Sequence, residues 1–265
     1  MIDVSNLYWT LEPHFLIDFI FFSSKIRLVR AQNYDHLFNN KDERDKRAAF
    51  IGVTDIYYQA IESLAAVCIA IQKRFPIDPN VVALPVNYTM ATYNGESAAL
   101  FELLGSEPQT LAMQLPLNFL DAIAANVDKE CGPNTASKIK HEIYNYLATL
   151  STALAKNDKL KIKIYNKIKH CGMVVYNGKR LLNSQPDSPA IIRNIVDKTV
   201  TPISHTPQLV SLKYSSEEYD LMKIAIKSIE QIQLHLLAAY LIHDYLDELK
   251  IFVPDENIYT VFSLK

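Results

Sequence analysis

Between Asp45 and Arg74 apolar side chains return at every third or fourth position: Phe50, Val53, Tyr57, Ile61, Leu64, Cys68 and Ile71. A helix places all seven on one face, whereas a strand would scatter them to both sides of a sheet. A stripe that runs for about six turns must be covered by other apolar surface, so the segment predicts a long helix packed into a bundle. Asp55, Gln59 and Glu62 form a polar line on another face, either solvated or placed to orient neighbouring cations.

Glycine usage points the same way. The chain has six glycines in 265 residues, well under the usual ~7 %, and low glycine suits helices. At positions 52, 95, 105, 132, 172 and 178 they lie too far apart for a GxGxxG turn or a Walker loop. Nucleotide binding by either device is excluded. With 49 % hydrophobic residues, the length is sufficient for one large core or two modest ones.

Other helices follow from the same spacing. Pro13 to Arg30 reads as a first helix, with Phe15, Phe19 and Phe22 in the core and Lys25, Arg27 and Arg30 near its C-terminal end. Asn39 to Asp45 is a polar joint. Pro76, Pro79, Pro85 and Asn94-Gly95 mark residues 76–95 as a long loop, a lid or dimer arm that offers a small-ligand reading. Short helices are expected at Ser97–Leu104 and Leu117–Asp128, and a longer one from Thr135 to about Lys156, with Ile139, Ile143, Tyr146 or Leu147, Leu150 and Leu154 apolar.

After Gly172 the period becomes two. Met173–Tyr176, the turn Asn177-Gly178 and Lys179–Leu182 predict a type I′ hairpin, with further strands at Ile191–Val200 and Leu209–Tyr214. Ser215 or Ser216 then caps a final helix that runs to about Lys250 and buries a broad face of Leu221, Ile224, Ile229, Ile232, Leu236, Tyr240, His243 and Leu246. The expected fold is mainly α: a multi-helix bundle-like domain with a small β-hairpin or sheet insertion and a long C-terminal helix. Its expected organisation is an N-terminal helix in 1–40, a helical domain in 41–172, and a β element plus long helix in 173–265 that packs on the same core.

Metal and redox chemistry find little support. Cys68, Cys131 and Cys171 are odd in number and form no CxxC, as in a chain kept in a reducing cytoplasm without disulfides or structural zinc. His235 and His243 are eight residues apart, and His243-Asp244 is an isolated dipeptide, so neither a metal nor a cofactor is expected. The apolar run Phe15–Phe22 contains Asp18 and is too short to cross a bilayer, and no basic n-region precedes it. A cytoplasmic protein without a membrane partner is the expectation.

The stretch most suggestive of chemistry is Lys159–Gly172. As a helix it places Leu160, Ile164, Ile168 and Cys171 on one face and Lys163, Asn166, Lys167 and His170 on a polar stripe, although Leu160–Ile164 alternates like a strand. Between Lys156 and Arg180 stand eight lysines and arginines plus His170, against Asp158 alone. Such a patch on a chain of net charge −2 suits a phosphate-bearing partner such as RNA, and equally a solvated surface.

Tyr165–Gly172, YNKIKHCG, resembles the helix-ending motif of the HEPN superfamily, in which an arginine, often followed by asparagine, precedes a histidine by four to six residues. Asn166 and His170 match. Tyr165 stands where the family has its arginine, and Lys163 is the nearest upstream cation on the stripe. The resemblance implies helical domains that dimerise around an RNA backbone, many of them metal-independent endoribonucleases of phage-defence or toxin–antitoxin systems. It implies His170 as general acid or base, Asn166 as its orienting partner, and Lys163 and Lys167 as stabilisers of phosphate charge. Lys161, Lys163, Lys167, Lys169, Lys179 and Arg180 would contact RNA. The alternative is a non-catalytic helical interaction or scaffold protein that homodimerises through apolar helix faces.

Overall fold

The computed structural model describes residues 22–74, 115–154, 174–175, 210–211 and 215–244. They form five helices: α1 (Phe22–Phe38), α2 (Glu43–Arg74), α3 (Leu117–Cys131), α4 (Thr135–Leu154) and α5 (Ser216–Asp244). The mainly α expectation holds, and none of these helices is long and apolar enough to cross a membrane.

Local signals set the helix ends. Asp42 accepts a hydrogen bond from the Arg44 amide at 2.8 Å and so caps α2. Ser215 accepts from the Glu218 amide at 3.1 Å and opens α5, with Glu217 and Glu218 against the positive end of the dipole. The joint between α3 and α4 turns through Gly132 at φ 96° and Asn134 at φ 63°, left-handed conformations that these two residue types tolerate. Across it, Asp128 of α3 accepts from the Ala136 amide at 2.8 Å and caps α4.

Helices α1 and α2 form one antiparallel hairpin and α3 and α4 a second. Helix α5 packs between them and touches all four. That placement explains its burial. Every residue from Ser228 to Ile242 is buried, a pattern found where a helix is covered on all sides. The seven predicted positions of α2, from Phe50 to Ile71, all lie in the core, as do Ile139, Ile143, Leu147 and Leu150 of α4. Phe119 and Tyr240 join α3 to α5 with ring centroids 6.1 Å apart.

Several expectations need correction. The first helix does not stop at Arg30 but continues to Phe38, because Asp35 and Phe38 both engage α5 rather than solvent. Phe22 is not a core residue: it is 45 % exposed. Helix α3 runs three residues past Asp128, and α5 exposes Ile224 instead of burying it. In α5 the first turns cover one side only, and Ile224 falls on the open side with Asp220 and Lys227.

Val174–Val175 pairs in parallel with Val210–Ser211. The predicted hairpin turn at Asn177-Gly178, its return strand and the strand at Ile191–Val200 lie outside the described residues. So do residues 13–21 of the first predicted helix, the 76–95 loop, the helix at Ser97–Leu104, and residues 245–250.

Candidate functional site

Lys161, Lys163, Asn166, Lys167, Lys169, His170, Lys179 and Arg180 all lie outside the described residues. Three polar clusters and one surface, none of them singled out from the sequence, remain as candidates.

The first cluster joins α1, α2 and α5. Arg27 lies two turns before Tyr34 on the inner side of α1, and its guanidinium grips the Glu230 carboxylate of α5 with two donors. Nε donates to Oε1 and Nη2 to Oε2, the latter at 3.0 Å. Nη2 also reaches Ser24 and Ser63 Oγ at 3.4 Å, and Gln233 Nε2 donates to Ser24 Oγ at 3.2 Å. Glu230 is 0 % exposed and Arg27 9 %. A forked guanidinium–carboxylate contact is the geometry that makes burying two charges tolerable. Among the described residues Gln231 Nε2 and Gln233 Oε1 are buried without hydrogen-bond partners, each at a cost of about 1–3 kcal/mol. The cluster is a structural clasp: both charges are spent on each other.

The second cluster is closer to solvent. Lys223 Nζ donates to both oxygens of Asp35, and Tyr219 OH donates to Asp35 Oδ1 at 3.1 Å. Tyr219 stacks on Phe38 with centroids 3.8 Å apart and planes within 5°. Burial first, then its hydrogen bond to the Asp35 carboxylate, raises the phenol's pKa. A phenol so held is a donor to a fixed acceptor, not a proton carrier.

The third sits between α4 and α5. His235 Nδ1–H donates to the Gln231 carbonyl at 2.7 Å, with the Tyr146 ring 5.8 Å away. Burial lowers the imidazole's pKa, against smaller upward pulls from that hydrogen bond and from Glu142. The neutral ring is favoured, but it is enclosed in the core. No group of three or more His, Cys, Asp or Glu side chains able to hold a metal occurs among the described residues.

The surface is the outer side of α1. Ile26 is 58 % exposed, Val29 53 %, Phe22 45 % and Leu37 38 %, and at 100° per residue they share one face with Asn33. The opposite face, turned to the bundle, buries Ser24, Arg27, Ala31 and Phe38 and places Asp35 against Lys223. This helix therefore turns Ser24, Arg27 and Asp35 inward and Ile26, Val29 and Leu37 outward, beside the exposed Lys25, Arg30, Gln32, Asn33 and His36. The predicted carboxylate line on α2 meets α1 at one point, where Arg30 lies 3.8 Å from Asp55, while Gln59 donates to Asp55 at 2.8 Å.

No family model, no curated protein and no solved structure matches this chain.

Proposed function

We propose that this protein is a helical interaction module that docks a partner on the outer face of α1. The observation that carries the reading is the row of aliphatic side chains that this helix exposes while it buries an arginine. Ile26 and Val29 stand in solvent while Arg27, between them in sequence, is buried against Glu230. Fully burying an aliphatic side chain of this size yields about 1.5–3 kcal/mol, so leaving several in a row exposed on one helix forgoes substantial stabilisation that a partner can recover. The polar clusters behind the face are structural: they hold α1 in place against α5.

Replacing Ile26 and Val29 together by serine tests the reading. Stability should change by no more than about 0.5 kcal/mol per site, the range for surface positions, and binding of an apolar dye such as bis-ANS should fall. A loss of several kcal/mol would mean that both residues belong to the core and that α1 has no free face.

A second reading concerns RNA, and it rests on the sequence: the basic stretch from Lys156 to Arg180 and the likeness of Tyr165–Gly172 to the HEPN motif. On that reading RNA affinity falls steeply with salt, and Lys163→Ala with Lys167→Ala weakens it for all sequences alike. His170→Ala abolishes any cleavage by removing the proton carrier, and Lys163→Arg raises it by supplying a forked cation. Protein that neither binds nor cleaves RNA at low salt leaves the interaction reading alone.

A further inference from the structure

We draw no further inference here: the strongest candidate, the exposed aliphatic patch of Ile26, Val29 and Leu37 on the outer face of α1, is the surface already described, and nothing in the structure shows what covers it.

Discussion

Removing Glu230 should be among the most damaging single changes in this protein. In Glu230→Leu the Arg27 guanidinium keeps its place in the interior but loses both of its close acceptors. What remains are two serine hydroxyls at 3.4 Å, at the outer limit of a hydrogen bond. An uncompensated buried charge costs about 3–5 kcal/mol, a large share of the 5–15 kcal/mol by which native domains are stable. Arg27→Met should cost a similar amount, since it strands the carboxylate instead. The double variant Arg27→Met with Glu230→Leu should recover most of the loss, because both charges leave together and apolar volume replaces them. Urea denaturation followed by circular dichroism measures all four proteins, and an unchanged m-value keeps the comparison valid. Single variants that each cost under about 1 kcal/mol, with an additive double, would mean that water reaches the pair and that the clasp is not buried.

Three other outcomes follow. The Tyr34 ring lies over Gly52, where a Cβ would overlap it, so Gly52→Ala should destabilise by about 1–3 kcal/mol in overpacking despite a helix-propensity gain of about 1 kcal/mol. In a Tyr34→Ala background the same change should stabilise. The His235 imidazole, its pKa lowered by burial, stays neutral in the fold while the unfolded chain takes up a proton near pH 6.5, so stability should fall as the pH drops below about 6.5. The drop in melting temperature from about pH 7.5 to 5.5 should be smaller in His235→Asn; an identical drop would refute this assignment. Burial pushes the Cys68 thiol up to about 12, so native protein at about pH 8 should resist alkylation there, as peptide mass mapping would show.

What the sequence reveals of this fold depends on how each helix is covered. Helix α2 meets the bundle along one stripe, and its buried positions are legible from spacing alone. The C-terminal half of α5 is covered on every side, so Glu230, Gln231, Gln233 and His235, polar residues that spacing alone does not place in a core, are all buried. Helix α1 defeats the pattern outright. Its inward face is chosen by Arg27, whose partner is 203 residues away in sequence. No local signal announces an arginine that long-range pairing makes a core residue, since unpaired arginines stay at the surface. Assuming that Phe22 must be inside then assigns the wrong face. The candidate surface was hidden for the same reason: an exposed aliphatic seam and a buried one have identical spacing.

Orientation of α1 is therefore the decisive point, and single-cysteine labelling measures it directly. In a Cys131→Ser, Cys171→Ser background, with Cys68 buried, cysteines are placed one at a time at the outward positions 26, 29, 33 and 37 and the inward positions 24, 31 and 38. Rates of reaction with a maleimide should be fast at the first four and slow, limited by opening of the fold, at the other three. Slow labelling at 26 and 29 with fast labelling at 24 and 31 would show α1 turned the other way, and would contradict both the clasp and the docking face.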